Sequence, residues 1–542
     1  MTRLTSSHDL QTTSAPAVTR SSYSYLFPDL ADGPEAGRFH GTDDAGTLQR
    51  LKDFENACHL PYPDTSKPGL TIDLPAAYTY FCQFLNHDIS APVGSVAANL
   101  ASLPPVGIIG SADPIGLNKD WRADVATILS HIANEQARPM MLGSLYGDGP
   151  SDPESAALYD GAAFRLGLTS VTADQTFNDN KTPADLIVHA SGAPDIPRED
   201  GQPLIADRRN DGNLILSQLH LAFMLFHNKA VKALSAKGVA ADQIFDQARA
   251  LVTLHYHWLI LNDVLPAILS QTVLAKPLSE WQPRRIPSGS VPMEFTTAAF
   301  RFGHSMVGRA YDYNANFGRG SPTAPQGATL GQLFAFTSKR KMGDEAGPHR
   351  QLPDHWVIDW DRMTGTAQGD VSGRAERIDL DFAPEMLNVA GNANMLEQGS
   401  ILFRNLLRGF HRRMPFGQKL AETCGVPLLP RDALRAAMPQ RNSPGEGFAN
   451  PTAAAEALGL LDETPAWLYL LCEAQVLENG RRVGPTASQI IADTIVSLLH
   501  SDPASLLRQA VPWHPRKSLL RDAASQPIVS LRALLLCATS QA

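Results

Sequence analysis

The chain has 542 residues, 43% of them apolar and 19% charged; that composition fills a large core and excludes wholesale disorder. A net charge of −9 excludes a basic nucleic-acid face as the default reading, and 7% aromatics suggest no stacking platform. Five widely spaced cysteines with no Cys-x-x-Cys pair exclude a disulfide framework and a zinc ribbon.

Residues 1–20 are rich in Ser and Thr and read as a mobile N-terminal tail. They contain no apolar stretch of the kind a secretory signal needs, and no run of eighteen apolar residues predicts a transmembrane helix. The expected compartment is the cytoplasm, or the exterior reached by a signal-independent route. The stretch LPAAYTYFCQFLNHDI, Leu74 to Ile89, predicts a helix. Residues 90–210 are punctuated by Gly, Pro and Asp and predict loops with short helices, such as 120–136. Apolar residues at helical spacing predict a long helix over 213–234 and a second over 241–269. A third is predicted over 296–307, then irregular structure over 310–375, and further helices over 401–409, 465–477 and 487–499. Alternating strand patterns are scarce. The expected class is all-α, a single large domain over 21–520 with long loops, followed by a C-terminal extension over 521–542.

No phosphate loop, zincin, α/β-hydrolase or dinucleotide signature occurs. Asp359/Asp361 and Asp379/Asp381 read as ordinary solvated carboxylates. Four other segments place polar groups in apolar surroundings. In YFCQFLNHDIS, Gln83 and His87 are four apart and share a helix face; a neutral imidazole there suits proton relay. In AAFRFGHSMV, His304 follows Arg301 by one turn; a buried neutral His suits iron ligation, and the Arg suits a carboxylate. In ADRRNDGNLILSQLHLAFMLFHNKAV, Arg208 and Arg209 precede the long helix, which carries His220 and His227. In ILFRNLLRGF, Asn405 and Arg408 are one turn apart; Asn405 suits the role of hydrogen-bond partner to a ligating imidazole. Taken singly, each segment reads first as structural: core histidines, a solvated arginine, a surface amide.

Their order along the chain says more. Gln83/His87/Asp88, then Asp207/Arg209 before a helix that carries His227-Asn228, then Phe300-Arg301 with Gly303-His304, then Asn405/Arg408: this succession resembles the animal-type haem peroxidases of the peroxidase–cyclooxygenase superfamily, in particular bacterial members. SLYGDGP at 144–150 and the segment from Thr464 to Pro503 add to the likeness, which runs from about Tyr78 to Pro515. The resemblance implies a b-type haem. His304 becomes the axial iron ligand, Asn405 its partner, and Arg301 and Arg408 the propionate partners. His87 becomes the distal acid–base catalyst with Gln83 beside it, and Arg209 the distal arginine.

The implied activity is a peroxidase that reduces hydrogen peroxide and oxidises a small-molecule or lipid donor through a ferryl intermediate. Two alternatives stand beside it: a haem-dependent oxygenase or cyclising oxidase of a specific organic substrate, and a non-catalytic haem-binding protein. Asn86, Gly212 and Asn213 occupy the positions that bond covalently to haem in mammalian members, so non-covalent haem is expected. Asp88 matches a calcium ligand of the family, but Met141 and Gly143 stand where further acids are usual. One carboxylate falls short of the oxygen set that calcium takes. Arg301 occupies the place of the radical-forming tyrosine of the dioxygenases.

Overall fold

The computed structural model describes residues 21–58, 71–91, 124–132, 134–170, 192–322, 324–334, 336–338, 351–365, 373–387, 400–439 and 447–540. The expected N-terminal tail lies outside them, as do parts of the predicted loops and the start of the helix predicted over 120–136. The longer helices are α1 (Asp44–Cys58), α2 (Ala76–Ile89), α3 (Leu214–Ala236), α4 (Ala241–Leu259), α5 (Ile401–His411), α6 (Ala466–Glu478), α7 (Pro485–Ser501) and α8 (Leu531–Thr539). Strands are short and occur in isolated pairs. β1 (Tyr23–Ser24) runs parallel to β3 (Val291–Pro292), and β2 (Thr71–Pro75) antiparallel to β4 (Arg374–Glu376). The architecture is mainly helical, as the scarcity of strand patterns predicts.

Helix α3 is the centre of the molecule. Asn213 caps it by accepting the Leu216 N–H, which satisfies one of the donors left open at a helix start. Leu216, Leu219, Phe223, Phe226 and Ala230 are all buried and meet α2, α4 and α8. Phe84 stacks on Phe223 at 5.0 Å, and Tyr256 meets both rings edge-on, a favoured aromatic geometry. The C-terminal residues 521–542 contribute α8, whose Leu531, Leu534 and Leu535 are buried against α3.

Two predicted helices differ in detail. The helix predicted over 241–269 contains a π-turn at Ile260–Val264. This turn carries Asp263, which accepts from Tyr78 Oη of α2 at 2.9 Å and from the Leu531 N–H of α8 at 2.6 Å. The helix predicted over 296–307 is broken: an α-turn Met293–Thr297 kinks at Ala298 into a 3₁₀ turn, Ala299–His304. Arg301 explains the break. Its Nε–H takes the Thr296 carbonyl at 2.7 Å, which a continuing α-helix would offer to the backbone four residues on.

Candidate active site

Helix α2 is buried on most sides, but Gln83, Asn86 and His87 are half-buried and share one face. His87 Nδ1 lies 2.8 Å from Asn210 Oδ1. Burial, aided by the charge of Arg209, lowers the His87 pKa to about 4, with a smaller push from Arg301 and opposition from Asp207. The imidazole is therefore neutral at ordinary pH, as a proton acceptor must be. Gln83 Oε1 accepts from Asn213 Nδ2 at 3.2 Å. Asn86 Oδ1 is buried with no hydrogen-bond partner among the described residues.

Arg209 lies in the 3₁₀ turn Arg208–Asp211, which Asp207 caps by accepting the Arg209 N–H. Its guanidinium pairs with Asp207 at 2.6 Å and donates to the carbonyls of His87 at 2.9 Å and Ser90 at 2.8 Å. Both carbonyls lie at the C-terminal end of α2, where a cation is favoured. Arg209 is buried and Arg208 is half-exposed, so of this adjacent pair Arg209 is the one directed inward.

The second imidazole sits on the 3₁₀ turn that packs against α2. Asn405 of α5 places Nδ2 3.1 Å from His304 Nδ1, while Asn405 Oδ1 is buried without a hydrogen-bond partner among the described residues. The two ends of an amide have the same shape. Turned end for end, the amide gives Oδ1 the Nδ1–H as its donor and leaves the lone pair on Nε2, the arrangement a metal ligand needs. Around this pair lie Arg301, Arg404, Arg408 and Arg412. Burial first, then the neighbouring Arg404 and Arg412 charges, lower the Arg301 pKa to about 10. The same causes, with Arg301 added, push Arg408 well below its ordinary range. None of the described ion pairs gives Arg301, Arg404 or Arg408 a carboxylate. A Cβ added at Gly303 would meet nothing within 4 Å.

This donor set fits haem. It offers an imidazole with a fixed partner for the iron, the half-buried cations of Arg301, Arg404 and Arg408, with no carboxylate among the described ion pairs, for the propionates, and open space at Gly303 for a flat group. It does not fit calcium at Asp88. The two carboxylate oxygens accept from the N–H groups of Leu142 at 3.0 Å and Ser144 at 3.2 Å, with Tyr256 Oη at 3.3 Å. These are donors, whereas calcium needs oxygen ligands, and among the described residues no His, Cys, Asp and Glu group is arranged for a metal ion. Burial raises Asp88 to about 6, against the pull of those donors. The turn that supplies them places Met140 and Leu142 at φ of 73° and 57°.

The remaining candidates divide. His227 is a core residue, bonded to Tyr146 Oη at 3.1 Å and to the Ala162 carbonyl at 2.9 Å. His220 is also buried, but bonds to Asn210 at 3.1 Å. Asp359 caps a short helix, and Asp361 pairs with Arg532. Asp379 departs from the solvated reading: it is 8% exposed, and burial raises its pKa to about 7. It is drawn inward because Ser305, next to His304, bonds its backbone on both sides at 2.7 and 2.8 Å. The sequence reading missed Asn210 and Arg404. Asn210 had one available signal, its position one residue after the inward arginine.

Fold and site together define a large, mainly helical domain whose buried imidazole and arginine groups fit a haem. Residues 145–341 match the animal haem peroxidase family. The chain is 26% identical to Peroxidase mlt-7 of Caenorhabditis elegans over 241 residues, 42% of this chain and 32% of that protein. It is 28% identical to thyroid peroxidase of Homo sapiens over 256 residues, 44% and 24% of the respective chains. The matches thus span about a third or less of these relatives. Among solved structures, peroxidase A from Dictyostelium discoideum superposes with a TM-score of 0.50 at 17% identity, over 84% of this chain and 83% of that one. The fatty acid alpha-dioxygenase of Oryza sativa gives 0.52 at 13%, over 90% and 82%. At such identities the likeness is one of fold.

Proposed function

We propose that this chain is a haem-dependent peroxidase that reduces hydrogen peroxide and oxidises a small-molecule or lipid donor. The observation that carries the reading is the presence of two amide-partnered imidazoles, His87 with Asn210 and His304 with Asn405, on elements that pack together. A mere haem binder needs only the second. In this reading His304 Nε2 would hold the iron of a haem b, and Arg301 and Arg408 would hold its propionates. When bound, haem would supply the redox chemistry between peroxide and donor. His87 Nε2, neutral at working pH, accepts the proton of the incoming peroxide and returns it to the departing oxygen. Arg209 fixes the end of the helix that carries His87 and adds positive field there. Gln83, held by Asn213, lies one turn away on the same face.

Two substitutions test the roles. His304→Ala is expected to lose most haem. His87→Ala is expected to keep it, with a normal Soret band, and to react with peroxide roughly 10²–10⁴-fold more slowly. Equal behaviour of the two variants refutes the assignment. Asn86 and Gly212 cannot form ester links, so acidified organic solvent is expected to strip the haem from denatured protein; haem that stays on the chain contradicts the non-covalent reading. An oxygenase reading shares the fold, but Arg301 stands three residues before His304, where the resemblance puts the radical tyrosine of dioxygenases. Product analysis with peroxide and phenolic or lipid donors separates the two: incorporation of dioxygen without peroxide favours the oxygenase.

A further inference from the structure

Asn210 is fully buried in the 3₁₀ turn between Asp207 and the start of α3, and its amide makes three bonds. Oδ1 lies 2.8 Å from His87 Nδ1, and Nδ2 lies 3.1 Å from His220 Nδ1 and 3.5 Å from the Ser144 carbonyl. A backbone carbonyl only accepts, so the amide nitrogen belongs on the Ser144 side. That settles the orientation that the two similar ends of an amide otherwise leave open. Oδ1 then faces His87, and an amide oxygen only accepts, so the shared proton is on His87 Nδ1. A neutral imidazole with its proton on Nδ1 carries its lone pair on Nε2.

We propose that Asn210 is the positioning residue of the site: it holds His87 in the Nδ1–H tautomer, so that Nε2 is the base, and His220 and Ser144 hold Asn210. The inference rests on the reading of His87 as the distal base. The opposite tautomer would set the His87 Nδ1 lone pair against Asn210 Oδ1 in a buried place, leaving both acceptors unsatisfied. His220 contributes by accepting from Nδ2. Its ring meets Phe84 of α2 edge-on at 6.1 Å, which keeps it in register with the helix that bears His87. The charged groups around His87 are Arg209 and Asp207 from the turn and Arg301 from the facing 3₁₀ segment; the titratable His220 stands across Asn210.

Cyanide gives a readout apart from turnover. Hydrogen cyanide binds ferric haem as the anion, once its proton has passed to a distal base, and the Soret shift reports the rate. In haem-loaded protein, Asn210→Leu is expected to keep haem content and to slow cyanide binding roughly 10–100-fold, the usual effect of losing an outer partner of a working imidazole. Asn210→Asp retains the acceptor and is expected to keep the rate. Its carboxylate favours the imidazolium, so the acid limb of the rate–pH profile is expected to move up by about one unit or more. A wild-type rate in Asn210→Leu beside a slow His87→Ala overturns the inference and spares the base assignment. A wild-type rate in His87→Ala overturns the base assignment, and the inference with it. Equal slowing in Asn210→Leu and Asn210→Asp with an unmoved acid limb overturns the inference by showing a purely structural role.

Discussion

A single guanidinium, that of Arg209, joins two parts of the site: its own turn through Asp207, and the end of α2 through the carbonyls of His87 and Ser90. Ser90 Oγ in turn meets Tyr23 Oη of β1 at 2.7 Å, so the first described strand is tied to the same point. The pair is buried on both sides, with Asp207 0% and Arg209 8% exposed. Removing one member leaves the other as an uncompensated buried charge, which typically costs ~3–5 kcal/mol. Arg209→Leu is therefore expected to lower the denaturant midpoint markedly. Arg209→Leu combined with Asp207→Asn is expected to lose less than the sum of the two single changes, because no lone charge remains. Additive losses would show that the two side chains do not act as a pair. Any kinetic defect of Arg209→Leu has to be read against this structural loss, whereas the defect of His87→Ala does not.

At the scale of elements, the C-terminal end of α2 is the part that must stay in place, because it carries His87. It is held by the Asp88 carboxylate, which draws the Leu142–Ser144 turn onto the helix, and by Asn210, whose amide reaches the Ser144 carbonyl. Hydrogen bonds do here what an ion would do with a set of oxygen ligands. The melting temperature is expected to stay within about 1 °C on addition of calcium or of a chelator, given the missing ligand set. Asp88→Ala leaves two buried N–H groups unsatisfied and is expected to cost on the order of 2–4 kcal/mol, measured by urea unfolding. A rise of several degrees with calcium would show that the turn opens to ligate the ion.

For the whole molecule, buried titratable groups of opposite sign set the pH dependence. His87, His220, His227 and His257 are lowered to about 4 and His255 to about 3, in each case chiefly by burial. Folded values below the unfolded one mean that the unfolded chain binds more protons, so these groups remove stability as pH falls from about 6.5 to 4. Asp88 and Asp195 are raised to about 6, and Glu376, Asp379 and Glu473 to about 7, again chiefly by burial. Folded values above the unfolded one mean that the fold binds more protons, so these groups remove stability as pH rises through 6 and 7. The two sets oppose each other between about pH 4.5 and 6, and only the carboxylates act above 6.5. The urea midpoint is therefore expected to be nearly flat over the lower range and to fall between pH 6.5 and 8. In Asp379→Asn that fall is expected to shrink. A midpoint that rises from pH 6.5 to 8 would contradict the balance.

Much of this protein was legible in its sequence. The 3.6-residue apolar stripe placed α3 within a residue or two, because a helix that buries one face must repeat on that period. The order of the His, Arg and Asn motifs resembled that of the animal-type haem peroxidases, and the roles in iron, propionate and proton binding followed from that resemblance. The break before His304 was not legible, because it depends on the Arg301 side chain returning to the Thr296 carbonyl. The inward burial of Asp379 depends on Ser305, 74 positions away in sequence. The partnership of His87 with Asn210 joins residues 123 positions apart, and no local pattern marks which amide meets which imidazole. By itself the sequence determined the helical scaffold and the residue types the chemistry needs, since periodicity and side-chain chemistry are local properties. Only the tertiary structure decided which polar group satisfies which buried atom, because hydrogen-bond partners and desolvation are set by the packing of distant segments.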